Sequence, residues 1–271
     1  MRGAGRVGEP PPPPEPLASP AVDSHCHLDL MDVDVATAMD QARAVGITRV
    51  VTVGVDLPTS QWQVDTAAAY DDVFAAVAIH PNEAVAADET AWAGIAKLAA
   101  YPSVVAVGET GLDRFRTGED GWAAQEESFR RHIAIAKDCG KALVIHDRDA
   151  HDEVLRVLDE EGAPEHVVFH CFSGDADFAR RCADAGYVMS FAGNVTFRNA
   201  QPLRDAVAVA PLDLLLVETD APFLTPMPYR GRPNAPHLVP LTVRAIASVK
   251  GVGESELAQA ITATAARTFR W

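Results

Sequence analysis

The chain has 271 residues, of which 48% are hydrophobic, which is enough for one large domain with a full core. Its formal net charge of −15 produces an overall field that repels nucleic acid and anionic membranes, so no general basic binding face is predicted. The longest apolar runs are short and are interrupted by Gly, Asp or Pro, which excludes a membrane span.

Residues 1–20 differ in composition from the rest of the chain. The unbroken proline run from Pro10 to Pro14 can form an extended chain but cannot bury a core. We therefore predict a disordered, proline-rich tail over residues 1–20. No apolar segment follows the first arginines, and the four cysteines show no framework spacing. These two features predict a cytoplasmic protein with reduced thiols.

From residue 21 onward, short β-branched runs alternate with amphipathic, alanine-rich stretches of helical period. The predicted strands cover 22–27, 49–55, 73–79, 104–109, 142–146, 167–170, 187–191 and 214–218. The predicted helices cover 34–45, 59–70, 89–100, 121–140, 149–161, 175–185, 199–208, 237–249 and 254–268.

Eight strands, each followed by a helix, in about 250 residues predict an α/β fold of the (β/α)8 TIM barrel type. We expect residues 21–271 to form a single domain with extra C-terminal helices. The competing fold, an open doubly wound sheet, calls for a glycine-rich phosphate loop after the first strand. The chain has His25-Cys26-His27 at that point instead.

In a barrel, the carboxyl ends of the strands converge on one face, where active sites form. His25 and His27 are two residues apart on a strand, so their side chains point the same way. A single histidine at a strand end is more often an ordinary hydrogen-bonded residue, but several at one face favour a metal site. The further candidates at predicted strand ends are His80, Glu109, His146, His170 and Asp220.

Four imidazoles and two carboxylates form the predicted ligand set, which suits divalent ions such as Mg, Mn, Zn, Fe, Co or Ni. Six ligands exceed the needs of one tetrahedral ion and fit two ions bridged by a carboxylate and water. Glu109 is the natural bridge. Asp220 is the candidate general base for a metal-activated water. The predicted ligands are His25, His27, Glu109, His146, His170 and Asp220.

Four other residues are predicted to contact substrate. His80 precedes Pro81 on the active face, but its spacing does not mark it as a ligand. Arg230 and Arg232, in the loop after the eighth strand, can reach a phosphate, although ordinary solvated loop charges are an equal alternative. Ser173, with Gly174, lies at a predicted helix start and offers backbone N–H groups to an anion.

Seven motifs follow one another along the chain. They are Asp23-Ser24-His25-Cys26-His27-Leu28, Ala78-Ile79-His80-Pro81, Gly108-Glu109-Thr110-Gly111-Leu112-Asp113, Val144-Ile145-His146, His170-Cys171-Phe172-Ser173-Gly174, Glu218-Thr219-Asp220-Ala221-Pro222-Phe223-Leu224 and Arg230-Gly231-Arg232-Pro233-Asn234-Ala235-Pro236. In this order the motifs resemble the TatD family of metal-dependent deoxyribonucleases, within the amidohydrolase-like barrels. The resemblance covers about residues 22–270.

The resemblance implies that His25 and His27 bind one ion and that Glu109 bridges it to a second. His146 and His170 would bind the second ion, and Asp220 would act as ligand and base. It also implies hydrolysis of DNA phosphodiester bonds, often as a 3′-to-5′ exonuclease. The expected partner is nucleic acid, as single-stranded DNA ends, with no membrane; nothing indicates a protein partner.

Two alternatives remain open. The first is an amidohydrolase-type hydrolase of small lactones, amides or phosphoesters on the same barrel. Such relatives often bridge their metals with a carboxylated lysine at the end of the fourth strand, and Glu109 at this position counts against the alternative. The net charge of −15 counts in its favour, because a nuclease with a long DNA groove is usually more basic. The second is a non-catalytic barrel that binds partners through its tail, which the complete ligand set disfavours.

Overall fold

Eight parallel strands form one sheet in chain order in the computed structural model, which describes residues 8–271. A parallel bridge between Cys26 and Ala221 brings the end of the last strand back to the first, so the sheet is a nearly closed barrel. The predicted (β/α)8 TIM barrel is confirmed. The strands are β1 Ala21–Cys26, β2 Ile47–Val53, β3 Val73–Val77, β4 Val104–Asp113, β5 Ala142–Arg148, β6 Val167–Phe169, β7 Val188–Phe191 and β8 Leu215–Val217.

Helices connect the strands on the outside, and two consecutive helices follow β8 as predicted. None of the described helices combines the length and the apolar composition that crossing a bilayer requires. The helices are α1 Val35–Ala44, α2 Leu57–Ala69, α3 Glu89–Ala99, α4 Glu119–Cys139, α5 His151–Glu161, α6 Ala176–Asp184, α7 Gln201–Val209, α8 Val239–Lys250 and α9 Glu254–Phe269.

Strand β4 continues to Asp113, four residues beyond the predicted end at Glu109. Its residue Gly111 pairs with His146 of β5 and has a φ of +138°. A Cβ atom at this position would lie 2.2 Å from the His146 carbonyl oxygen, so only glycine allows the two strands to stay paired here. The longer strand carries Asp113 to the same end of the barrel as Glu109.

The seam between the first and last strands is closed by a buried carboxylate. Asp23 on β1 accepts hydrogen bonds from the backbone N–H of Thr219 at 2.9 Å and from its hydroxyl at 2.5 Å. Burial raises the pKa of Asp23 to about 7, against the opposing effect of these hydrogen bonds. Beside it, the Asp220 N–H donates to the His25 carbonyl oxygen at 2.9 Å. The seam therefore places Asp220 next to the histidines of β1.

Residues 8–20 lie against the barrel, which differs from the disorder predicted for residues 1–20. Leu17 is buried, and its N–H donates to the Val45 carbonyl oxygen at 3.0 Å. Arg232 donates to the carbonyl oxygen of Glu9 at 2.7 Å, and Arg244 donates to that of Glu15 at 2.7 Å. In a segment without regular secondary structure, side chains of the folded domain can form the hydrogen bonds that the backbone carbonyl groups require. Residues 1–7 of the predicted tail lie outside the described residues.

Candidate metal centre

Glu109 lies at the centre of a cluster of imidazoles at the carboxyl end of the barrel. Its Oε2 lies 2.9 Å from His25 Nε2 and 3.1 Å from His170 Nε2. Its Oε1 lies 2.7 Å from His80 Nε2 and 3.5 Å from His146 Nδ1. A carboxylate whose two oxygens each face imidazole nitrogens has the arrangement expected of a bridge between two ions.

Three groups of side chains offer ligand atoms within 4.8 Å of one another. Two of the groups share Glu109 and two share His25, so the groups form one continuous centre. The structure thus brings together all six residues predicted as ligands and adds His80. The groups are His25 with Glu109 and His170, His25 with His27 and Asp220, and His80 with Glu109 and His146.

Hydrogen bonds assign the tautomers of two of these histidines. His27 Nδ1–H donates to the Val53 carbonyl oxygen at 2.9 Å, so in the neutral ring Nε2 is bare and faces Asp220 at 3.6 Å. His170 Nδ1–H donates to Glu218 Oε1 at 3.1 Å, so in the neutral ring Nε2 is bare and faces Glu109. Donation of the second ring nitrogen to an oxygen is the usual way that a metal-ligating histidine is oriented.

His146 is held through Nε2, whereas His27 and His170 are held through Nδ1. The group that holds it is a carboxylate outside the cluster. The Nε2–H of His146 donates to Asp113 Oδ2 at 3.3 Å, so in the neutral ring Nδ1 is bare on the side of Glu109. Asp113 also accepts from the Asn82 side-chain amide at 3.2 Å, so the orienting group is itself fixed. His146 therefore fits a ligand that binds through Nδ1.

His80 differs from the other histidines because its proton points into the site. Its Nδ1 accepts the backbone N–H of Asn82 at 3.0 Å, so the neutral ring carries its proton on Nε2, which donates to Glu109 Oε1. A nitrogen that carries a proton is a donor and has no lone pair for an ion. The geometry accordingly makes His80 a hydrogen-bond donor within the centre, and its contact with substrate stays a prediction.

His25 supplies the test of whether this centre fits metal ions. Both its ring nitrogens are buried and make no hydrogen bond, and Glu109 Oε2 likewise has none, although His25 Nε2 and Glu109 Oε2 lie only 2.9 Å apart. Burial lowers the pKa of His25, assisted by the charge of His170, so its imidazole is neutral. Buried, neutral and unpaired nitrogen beside an unpaired carboxylate oxygen is the donor set that a divalent ion satisfies.

Three supporting residues were missed by the sequence reasoning. Glu218 and Asp113 orient His170 and His146, and both lie within quoted motifs, two or four residues from a predicted ligand. His132, on α4, accepts the Ile79 N–H at 3.0 Å and lies 2.8 Å from the Thr110 hydroxyl. It thus holds Ile79 and Thr110, the neighbours of His80 and Glu109, from a helix position that carries no sequence signal of such a role.

A cavity of about 720 Å³ opens over the centre. His80 and Ser173, both predicted to contact substrate, line its wall, but Arg230 and Arg232 do not. The Arg230 guanidinium stacks 4.2 Å from the centre of the Phe197 ring. The Arg232 guanidinium donates to the carbonyl oxygens of Glu9 and Pro10, which differs from the predicted phosphate contact.

The anion site predicted around Ser173 has a different local structure. Helix α6 begins only at Ala176, and the Asp175 carboxylate accepts the N–H groups of Asp177 and Phe178, both at 3.0 Å. The first-turn donors are therefore already capped. The Ser173 hydroxyl donates to the Asp147 carbonyl oxygen at 3.0 Å and stays at the cavity wall.

The charges of the centre are strongly coupled. Burial opposes ionisation of Glu109, but the charge of His170 and the contacts with the other surrounding imidazoles outweigh it and hold its pKa well below the ordinary value. Burial also disfavours the charged forms of His27 and His146. The carboxylates of Asp220 and Glu109 outweigh it for His27, and those of Asp113 and Glu109 do so for His146, so each pKa rises to about 9.

We expect metal binding near neutral pH to release about two protons, one each from His27 and His146, because a ligand nitrogen must be bare. Calorimetric titration of the metal-free protein with Zn²⁺ at pH 7, in buffers of different ionisation enthalpy, measures this number. A buffer-independent heat would contradict the assignment. By linkage, the raised pKa values stabilise the metal-free fold below pH 6.5, and this contribution is lost as the pH rises through 9.

Comparison with known proteins agrees with this geometry. The family model described as TatD related DNase matches residues 22–270. An uncharacterized metal-dependent hydrolase named TatD from Mycobacterium tuberculosis is 48% identical over 257 residues, covering 92% of this chain and 97% of the relative. A Bacillus subtilis relative, the uncharacterized metal-dependent hydrolase YabD, is 40% identical over 252 residues, covering 92% and 98%.

A solved structure shows the same fold. The crystal structure of YJJV, a TatD homologue from Escherichia coli, superposes with a TM-score of 0.87 at 26% identity, and the match covers 93% of this chain and 98% of that one. The family match, the identities and the histidine–carboxylate centre agree with one another. The chain belongs to the TatD family of metal-dependent hydrolases.

Proposed function

We propose that this hydrolase cleaves phosphodiester bonds of DNA as a 3′-to-5′ exonuclease acting on single-stranded ends. The observation that carries the proposal is Glu109, which lies between His25 and His170 on one side and His80 and His146 on the other. Two divalent ions held around it would neutralise a phosphate and activate water. The matched family, described by its DNase activity, supports the same chemistry.

The chain's own residues supply the proton transfers and the positioning. Asp220, 3.6 Å from His27, would take up the proton of the attacking water on its carboxylate. His80 Nε2–H faces the Glu109 carboxylate and would donate a hydrogen bond to a phosphate oxygen placed there. His27, His146 and His170 would hold the ions through their bare nitrogens.

The absence of a lysine also supports a carboxylate-bridged phosphodiesterase. Among the described residues, the cavity wall contains no lysine that could be carboxylated to bridge two ions. One observation favours the second candidate, a hydrolase of small lactones or amides. Among the described residues, eight acidic side chains line the cavity, against two arginines, Arg116 and Arg148. A neutral substrate enters such a cavity without electrostatic cost.

A turnover screen distinguishes these candidates. The chelated protein is reloaded with Mg²⁺, Mn²⁺, Co²⁺ or Zn²⁺ and given labelled single-stranded DNA, duplex DNA, RNA, small phosphodiesters, lactones and cyclic amides. We expect the fastest cleavage on single-stranded DNA, with label released first from the 3′ end. Turnover confined to lactones or amides would establish the second candidate instead.

A further inference from the structure

The loop that follows β4 presents an aromatic side chain to solvent beside the metal centre. Phe115 is 65% exposed, the largest exposed fraction of the aromatic side chains in residues 8–271, ahead of Tyr101 at 42%. It lies two residues after Asp113, the carboxylate that orients His146. An aromatic ring left in water beside Arg148, which lines the cavity, is a contact surface that the fold itself does not use.

The position of Phe115 is fixed by the same carboxylate. Asp113 Oδ1 accepts the N–H groups of Phe115 at 2.9 Å and of Arg116 at 2.7 Å. The Arg114 N–H donates to the Arg148 carbonyl oxygen at 2.9 Å, which continues the pairing of β4 with β5. The backbone that carries the ring is thus fixed relative to Asp113 and β5, which lowers the ordering that binding to the ring requires.

An arginine covers one side of the ring. The Arg148 guanidinium carbon lies 4.2 Å from the centre of the Phe115 ring, and Arg148 also lines the cavity. Arg148 follows His146 by two residues on β5. The exposed remainder of the ring faces solvent, so a flat, apolar group could stack on it while a neighbouring phosphate approaches the guanidinium.

The charge of the protein indicates which contacts a DNA strand would need. With a net charge of −15 and a mainly acidic cavity wall, few phosphates along the strand can be neutralised by the protein. Stacking of bases on aromatic rings is the other main source of affinity for single strands, and it is independent of net charge.

We propose that Phe115, backed by Arg148, is the stacking platform for a nucleobase next to the scissile phosphate. The proposal rests on the proposed function and narrows it: the substrate is a strand end that carries bases, and the phosphodiester alone is bound poorly. Phe115 is then a specificity-determining residue, placed by the strand extension that Gly111 permits.

The test pairs a change in the protein with a change in the strand. Phe115→Ala, Phe115→Trp and the control Tyr101→Ala are assayed on single-stranded DNA and on the same strand with abasic residues at its 3′ end. Phe115→Ala should raise KM about tenfold on the normal strand, leave kcat nearly unchanged and have no effect on the abasic strand. Phe115→Trp should restore KM, and Tyr101→Ala should match the parent protein.

The outcomes separate this proposal from the function on which it rests. If the parent protein cleaves DNA and Phe115→Ala affects both strands equally or neither, the platform is disproved while the nuclease stands. If the parent protein cleaves neither strand, the nuclease proposal fails, and the stacking platform is tested by binding alone. The fluorescence of a strand with 2-aminopurine at its 3′ end is measured with each protein. Fluorescence quenching by the parent protein but not by Phe115→Ala supports the platform; equal or absent quenching overturns it.

Discussion

Glu109→Gln is expected to empty most of the metal centre. Two of the three groups of ligand atoms contain this carboxylate, and its charge balances the histidines around it. Gln keeps the shape but offers a neutral oxygen, so the bound metal should fall from the proposed two ions per chain to one or none. Activity should fall about a thousandfold or more, because several kcal/mol of charge stabilisation depend on the ions.

Metal content after loading and dialysis, measured by mass spectrometry, checks this expectation together with turnover. Glu83→Gln is the matched control, since Glu83 lines the same cavity and is not in the three groups. Circular dichroism of the metal-free proteins verifies that both variants fold. Two ions per chain retained in Glu109→Gln would refute the assignment of Glu109 as the bridge.

Asp220→Asn is expected to reduce kcat by about 10²- to 10⁴-fold even at saturating metal, because an amide cannot take up the proton of the attacking water. Both groups that contain Glu109 lack Asp220, so at least one ion should remain bound. Turnover and metal content of the same samples must therefore be measured together. A variant that loses activity only in proportion to its metal would show that Asp220 is a ligand and no more.

Asp149→Asn is a closely matched control for this change. Asp149 lines the same cavity but lies outside the three groups. Its φ of 58° resembles the 52° of Asp220, a left-handed conformation that asparagine adopts readily. Backbone strain is thus equal in the two variants, and near-normal turnover is expected for Asp149→Asn.

The residues of the centre could be predicted from the sequence because each lies within or shortly after a strand, towards its carboxyl end, and these ends converge in a barrel. Their roles could be predicted less well. The tautomer that separates His80 from the ligands depends on a backbone N–H two residues away. The orientation of His170 depends on Glu218, which lies 48 positions further along the chain. Neither contact leaves a periodic signal in the sequence.

Element ends were predicted less exactly where a side chain decides them. Helix α2 begins at Leu57, ahead of the predicted residue 59, because Asp56 and Thr59 cap each other reciprocally. Strand β4 runs past its predicted end because Gly111 permits close pairing. The proline-rich segment is held by Arg232 and Arg244 through its carbonyl oxygens, and such contacts are invisible to composition.

The pairing of Asp23 with Thr219 has a consequence for folding during synthesis on the ribosome. The two residues are separated by 196 positions, so the contacts of β1 across the seam form only after the last strand has been synthesised. At about 5–20 residues per second, a ribosome delivers Thr219 roughly 10–40 seconds after Asp23. During that interval the histidines of β1 have no partner across the seam. A nascent or truncated chain that stops before Thr219 also lacks Asp220, so it cannot assemble the group of His25, His27 and Asp220.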